Sequence, residues 1–276
     1  MIDFFAEMFS YPFMRRAIIA GILVALCSAL LGVTLVLKRY SMIGDGLSHV
    51  GFGAACIAMA LNVAPLKIAV PVVIIAAFLL MRINSDAKIK GDAAIALISS
   101  ASIAAGVIAA SLTTGLNNDV SGYMFGSILM MSDSDVVTSI ILSVVVLVLY
   151  AVFYNRIFSV TFDESFAAAT GTKTSLYNTL IAVLTALTVV VGMRMMGALL
   201  ISSLIIFPAL TSMRVCKSFR GVTVMCAVVS VVCFFVGISA SYALNTPAGA
   251  SVVAANTVCL AIFSAVGAIK RRVRKY

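Results

Sequence analysis

Charged residues are scarce in this chain, and their scarcity excludes an ordinary soluble domain. Only 11% of the 276 residues are charged, whereas 63% are hydrophobic and the mean hydropathy is +1.17. Soluble globular domains carry about 25% charged residues. The composition therefore predicts a polytopic membrane protein, which we expect to form a single transmembrane domain over residues 1–276.

Residues that build catalytic and metal sites are also few. With one histidine, the chain cannot hold the H-E-x-x-H pair of an intramembrane zinc protease. The segment 171–174 (Gly-Thr-Lys-Thr) lacks the G-x-x-x-x-G-K-[ST] pattern, so no nucleotide site is encoded. The cysteines form no C-x-x-C pair and are expected to be small core residues: Cys27, Cys56, Cys216, Cys226, Cys233 and Cys259.

Long charge-free runs predict the membrane spans, because about 20 apolar residues cross a bilayer. A turn signal at Asn245–Gly249 divides the last of these runs into two spans. We therefore expect an all-α fold with nine transmembrane helices, or eight if the short third run does not cross. The runs are 17–37, 46–66, 68–81, 93–118, 136–155, 174–193, 195–213 and 221–269.

The net charge of +9 is explained by membrane orientation and not by nucleic-acid binding. If nine spans alternate, 15 of the 19 basic residues fall in the loops of one side, which the positive-inside rule makes cytoplasmic. The other side holds Arg15, Arg16, Lys67 and Arg194. This orientation places the N-terminus outside, and a half-inserted N-terminal helix would accommodate Arg15 and Arg16 there.

The segment Ser41–Gly53 contains the only histidine, His49, four residues after Asp45. That spacing places both side chains on one face of a helix, in a setting where ionisable groups are costly. The pair is suited to a divalent ion such as Mn²⁺, Zn²⁺ or Fe²⁺, and the alternatives are a structural Asp–His hydrogen bond and, third, a proton relay. Counting about 15 Å of helix from Arg39 places His49 near the bilayer midplane.

Two loop segments have their own pattern. Outside, residues 115–135 include the apolar stretch Tyr123–Met130, which is too short to span and predicts an interfacial or re-entrant helix. Inside, Phe162–Gly171 predicts a short amphipathic helix with Asp163 and Glu164 in its first turn and Gly171 as its C-cap. Such a helix either docks into a groove of another protein or simply connects two spans.

Four acids at span ends are expected to be solvated: Asp92, Asp119, Asp133 and Asp135.

The residues from Leu37 to His49 (L-K-R-Y-S-M-I-G-D-G-L-S-H) resemble the signature of the ABC-3 family, the permeases of zinc, manganese and iron ABC importers. Gly46 stands where an alanine is common, and the proline that often follows the histidine is absent from Val50–Gly53. The resemblance continues along nearly the whole chain: Gly91–Ile95, Tyr123–Ile128, Phe162–Gly171, Gly197–Arg214 and Thr246–Gly249.

The resemblance implies a homodimeric permease similar in fold to the vitamin B12-type (type II) importers, in the bacterial plasma membrane. It implies two cytoplasmic ABC ATPase subunits and an extracytoplasmic metal-binding protein as partners. Asp45 and His49 would be metal-pathway residues, and a coupling helix over about 162–171 would meet the ATPase through Phe162, Asp163, Glu164, Ala167 and Gly171. We expect no permanently bound cofactor, because the metal ion, Mn²⁺ or Zn²⁺, would be the cargo.

The expected function is therefore the membrane subunit of an ATP-driven importer of a divalent metal, without an enzymatic site of its own. One alternative is a permease for a metal chelate or cobalamin, in which the Asp–His pair is structural. The absence of tryptophan disfavours the aromatic-lined cavity that such a cargo would need. Another alternative is a stand-alone proton-coupled carrier, although the chain shows no clear internal repeat.

Overall fold

The computed structural model of the protein describes residues 9–85, 91–113 and 133–273, together with residues 7 and 126. These ranges contain only helices and their connections. The helices are α1 (Pro12–Leu37), α2 (Ile43–Ala60), α3 (Pro65–Ser85), α4 (Gly91–Ser111), α5 (Asp133–Val152), α6 (Tyr154–Phe162), α7 (Glu164–Ala169), α8 (Thr174–Met196), α9 (Ala198–Val215), α10 (Phe219–Leu244) and α11 (Ala248–Val273).

Eight of these helices are long and apolar enough to cross a membrane, which confirms the predicted all-α, multi-pass architecture. The third charge-free run, 68–81, is extended at both ends, because α3 is 21 residues long and includes Lys67 and Arg82. It begins at Pro65, which suits the first helical position, and continues beyond Arg82, whose long side chain can reach the interface. The shortest apolar segment is instead Leu200–Val215 of α9.

The predicted bounds of the second span, 46–66, are wrong. The helix α2 begins at Ile43 and ends at Ala60, where Asn62 adopts a left-handed conformation with φ 55°. By contrast, the turn signal at Asn245–Gly249 is confirmed, because α10 ends in a left-handed Asn245 and α11 begins at Ala248.

Helices α1, α2 and α8 form the buried centre of the bundle. The helix α1 packs against α5, α8, α9 and α10, while α2 packs against α3, α4, α8 and α9. The outer helices expose large apolar side chains, among them Ile75, Leu97, Val148 and Val258. An apolar outer surface is what a lipid environment requires of a spanning bundle.

Among the described residues, several connections that the charge pattern predicts to be cytoplasmic lie together at one end of the bundle. Lys38 contacts Glu164 at 3.2 Å, and the rings of Tyr154 and Phe219 lie 5.6 Å apart. A cleft at the same end is lined by both Tyr40 and Arg82. These contacts bring the α1–α2 and α5–α8 connections together with the C-terminal end of α3 and the N-terminal end of α10, as the alternating topology predicts. The predicted re-entrant stretch Tyr123–Met130 lies outside the described residues, apart from Gly126.

Candidate metal pathway and coupling helix

Asp45 and His49 lie in the first two turns of α2, at the end that follows the basic α1–α2 connection. The connection from Lys38 to Met42 is not helical, so His49 is about 9 Å along the axis from the start of the helix and about 16 Å from its end. The pair therefore lies nearer the N-terminal end of α2 than its C-terminal end, and the midplane depth stays a prediction. A carboxylate in the first helical turn is stabilised by the helix dipole.

The two side chains approach each other without forming a hydrogen bond. Nε2 of His49 lies 3.6 Å from Oδ2 of Asp45, which is too long for such a bond. Two ligands bound to one tetrahedral ion at about 2.1 Å would be about 3.4 Å apart. The pair therefore needs to close by only about 0.2 Å to chelate a divalent ion through one nitrogen and one oxygen.

Glycines on α2 set the direction in which this pair points. Gly46 and Gly53 face α4, and Gly44 faces α9, each so closely that a Cβ atom would collide with the neighbour. With 100° of rotation per residue, Asp45 and His49 project between these two directions. The described helices leave this sector open, and the two side chains are 32% and 18% exposed.

The neighbouring hydroxyl does not form a nucleophile with the histidine. Oγ of Ser48 donates to the backbone carbonyl of Asp45 at 2.7 Å, and the residue is fully buried on another face of α2. Ser48 and His49 thus point in different directions. The pair therefore has the chemistry of an open ligand site, not of a hydrolase.

An apolar cluster lies directly outward of His49. Phe52 and Cys56, one and two turns further along α2, pack against Met193 and Ala198 at the α8–α9 junction, and all four are buried. Among the residues that the structure describes, no cluster of three or more histidine, cysteine or acidic side chains could hold a metal ion. Within the described residues, the candidate site therefore consists of the Asp45–His49 pair, with apolar packing beside it.

The predicted short cytoplasmic helix is present as α7, with different ends. Phe162 closes the preceding helix α6, and Asp163 is the N-cap of α7, accepting a 2.9 Å hydrogen bond from the backbone N–H of Phe166. The C-cap is Thr170, and Gly171 follows it with φ 81°, a conformation that favours glycine. The prediction of the helix is right, but Asp163 caps its start and does not belong to its first turn.

The surface of this helix is divided between a buried anchor and exposed aromatic rings. Ala167 is fully buried, whereas Phe162 is 77% and Phe166 is 63% exposed. The two rings lie four residues apart in the chain, at the end of the molecule that the basic loops make cytoplasmic. Phe166 is not among the residues that the sequence analysis predicts for the ATPase contact, although it lies four residues after Phe162. Phe162 ends α6 and Phe166 lies in α7, so each helix presents one exposed ring that is available to a groove on another protein.

The comparison with known families decides the identity of the chain. The profile of the ABC 3 transport family matches residues 10–267. The chain belongs to the ABC 3 transport family. The match covers α1 to α10 and most of α11, so it includes both the Asp45–His49 pair and the helix α7.

Curated relatives of this ABC 3 chain are metal transport proteins by name. The "Probable metal transport system membrane protein" of Thermotoga maritima is 32% identical over 91% of this chain and 89% of the relative. The zinc uptake membrane protein ZnuB of Haemophilus influenzae is 28% identical over 92% and 96%. The manganese import permease ScaB of Streptococcus gordonii is 24% identical over 91% and 90%.

Solved structures share the fold of this ABC 3 chain. PsaBC from Streptococcus pneumoniae, in complex with Fab, superposes with a TM-score of 0.85 at 26% identity, covering 95% of each chain. A metal-chelate type ABC transporter in an inward-facing conformation gives a TM-score of 0.73 at 13% identity, covering 93% and 86%. The second likeness concerns the fold alone. Together they confirm the expected ABC importer permease architecture.

The prediction that Asp135 is a solvated acid at a span end is wrong. Asp135 is not a solvated loop residue, because it lies in the first turn of α5 and its Oδ2 is 2.6 Å from the Arg194 guanidinium. Both side chains are largely buried, at 14% and 18% exposure. This ion pair ties the outer end of α8 to α5. The partners lie 59 residues apart, so no local pattern could have paired them.

Proposed function

We propose that this chain is the membrane-spanning subunit of an ATP-driven importer of a divalent transition metal, with manganese or zinc as the expected ion and iron as a further candidate. The observation that carries the proposal is the Asp45–His49 pair, whose atoms stand 3.6 Å apart on an open face of α2. Family membership and the names of the relatives support the same conclusion.

Asp45 and His49 would bind the ion transiently. Two ligands from one helix hold an ion less tightly than a closed four-ligand site, which favours release during transport. The apolar cluster around Phe52 closes the outer side of the pair, so the ion would reach it only after the α8–α9 junction moves. This motion would follow delivery of the ion by an extracytoplasmic metal-binding protein.

The motor would be a pair of cytoplasmic ABC ATPase subunits that dock on α7. The residues expected at this contact are Phe162, Asp163, Glu164, Ala167 and Gly171, to which the exposed ring of Phe166 is added. Ala167 would hold the helix against the permease, while the aromatic rings fill a groove of the ATPase. The chain itself would hydrolyse nothing.

A second copy of the chain would cover the open sector beside Asp45 and His49. The neighbouring helix α4 exposes Ala96, Ser100 and Ala104 at successive turns, and small residues at this spacing allow membrane helices to approach closely. In a background with the native cysteines replaced by alanine, Ser100→Cys is expected to cross-link two permeases. Val148→Cys, on the exposed face of α5, is the control that is expected not to cross-link.

The transport function is tested in vesicles that contain the permease with its ATPase and binding protein. Wild type is expected to accumulate Mn²⁺ or Zn²⁺ only with ATP, and His49→Ala and Asp45→Ala are expected to abolish accumulation while the complex still assembles. Ser48→Ala, which alters a buried neighbour on another face of α2, is the matched control. Normal import by His49→Ala would show that the pair is not on the ion path.

The rival function is a permease for chelated metal. The chelated iron transport membrane protein YfeD of Yersinia pestis is 26% identical over 98% of this chain, which keeps this class open. Accumulation of a chelate, combined with insensitivity to His49→Ala, would support the rival. Import without ATP would support a proton-coupled carrier instead.

A further inference from the structure

Lys38 is a buried cation at the end of the bundle that is predicted to be cytoplasmic, and the proposed function assigns it no role. Its side chain is only 6% exposed, and its Nζ lies 3.2 Å from Oε2 of Glu164 and 2.5 Å from Oδ1 of Asn178. The amide Nδ2 of Asn178 donates in turn to Oε1 of Glu164 at 2.7 Å. The three side chains therefore form a closed triangle of hydrogen bonds.

Each corner of this triangle belongs to a different part of the fold. Lys38 caps the C-terminus of α1, Glu164 is the first residue of α7, and Asn178 lies in the second turn of α8. Desolvation lowers the pKa of Lys38, and the charge of Glu164 opposes that shift. A buried ammonium group is retained only where such partners compensate it, so the triangle constrains how these elements sit against each other.

Lys38 is also rigidly connected to the helix that carries the metal pair. Only five residues separate α1 from α2, and backbone hydrogen bonds fix them: Tyr40 N–H donates to Leu35 at 2.8 Å and Ile43 N–H donates to Tyr40 at 3.0 Å. Arg39 adopts φ 61° within this turn. A force on Lys38, seven residues before Asp45, would therefore be transmitted to the start of α2 at Ile43.

The side of the triangle that Glu164 and Asn178 form faces a cleft. Glu164 and Asn178 line a cleft of about 400 Å³ that is also lined by Tyr40 and Arg82. Glu164 is 47% exposed towards this end of the molecule. A displacement of α7 can therefore carry the Glu164 carboxylate away from Asn178 without a collision with packed side chains.

We propose that Lys38 is a positioning residue that links the helix α7 to the metal-binding helix α2 through Glu164 and Asn178. When the motor moves α7, the Lys38–Glu164 contact pulls on the α1–α2 turn and shifts Asp45 and His49. The inference rests on the proposed function, since it assigns a mechanical link between its two sites. It predicts that loss of the link separates ATP hydrolysis from ion movement.

The test measures the number of ions imported per ATP hydrolysed in vesicles that contain permease, ATPase and binding protein. Lys38→Met and Asn178→Ala are expected to assemble and hydrolyse ATP while this ratio falls roughly 5- to 150-fold, the range of a typical coupling between sites. The exchange Lys38→Glu with Glu164→Lys restores the ion pair and is expected to recover part of the ratio. Lys217→Met, which removes an exposed lysine at the same end, is the control.

The outcomes separate this inference from the proposed function. A parallel loss of hydrolysis and import in Lys38→Met, with an unchanged ratio, would show a purely structural role and overturn the inference. An unchanged ratio with full activity would overturn it as well. If the wild-type complex imports no metal ion, the result contradicts the proposed function itself, on which the inference rests.

Discussion

Replacement of Gly53 by alanine is predicted to force α2 away from α4. A Cβ atom at Gly53 would lie 2.3 Å from the carbonyl oxygen of Ser102 and 2.9 Å from its carbonyl carbon. Close carbon–oxygen contacts in proteins are about 3.3 Å, so the helices must separate by about 1 Å. The obstructing atoms are backbone, and no rotamer change can move them.

The size of this effect follows from a comparison with Gly267, which also lies in a membrane helix. A Cβ at Gly267 would meet nothing closer than 3.7 Å, so both alanine variants gain the same helix propensity but only Gly53→Ala collides. Overpacking costs about 1–3 kcal/mol. For a chain of this size, each kcal/mol lowers the melting temperature by about 2–4 °C.

Thermal unfolding in detergent measures the difference between the two variants. The chain has no tryptophan, but Cys27, Cys56 and Cys226 are buried and become reactive to a fluorogenic thiol reagent on unfolding. Gly53→Ala is expected to melt roughly 2–12 °C below Gly267→Ala. If Gly53→Ala melts at or above Gly267→Ala, the close packing of α2 on α4 is not what stabilises the position of the metal pair.

Three further predictions concern the ionic and aromatic contacts. Asp135→Leu leaves Arg194 without this carboxylate and is expected to lower the free energy of unfolding by about 3 kcal/mol, as measured in the same melting assay. The double variant Asp135→Leu with Arg194→Leu is expected to lose less stability. Asp163→Ala removes the N-cap of α7 and is expected to weaken ATPase binding about fivefold, whereas Asp163→Asn retains it; equal affinities would contradict this. Phe166→Asp changes an exposed ring, so the melting temperature is expected to stay constant while co-purification of the ATPase is lost.

The sequence predicted most of the spans because charge is costly in a bilayer, and charge-free runs therefore coincide with helices. It failed where backbone conformation ended a helix within an apolar run, as at Asn62, which terminates α2 six residues before the run ends. It also failed at Arg82, which was counted as a boundary although α3 continues to Ser85. Hydropathy reflects the cost of burying charge, so it does not reveal where a left-handed residue ends a helix.

The candidate site was predictable only where its residues are close in sequence. Asp45 and His49 share one helical face by their spacing, and Asp163 and Gly171 frame α7 by their capping preferences. Lys38 meets Glu164 across 126 residues, and their contact depends on how α1, α7 and α8 pack. A single sequence contains no signal for such a pairing.

Three acid–base pairs of the described residues lie at three levels of the same bundle. Lys38–Glu164 is at the end that is predicted to be cytoplasmic, Asp45–His49 lies further in on α2, and Asp135–Arg194 is at the opposite end. Helix α8 carries both Asn178, which completes the inner pair, and the arginine of the outer pair. The inner and outer pairs are closed at 3.2 Å and 2.6 Å, whereas the middle pair is open at 3.6 Å. Ion pairs therefore fix both ends of α8, whereas the Asp45–His49 pair lies at a level between them without a hydrogen bond between its partners, which agrees with its proposed role in binding a moving cation.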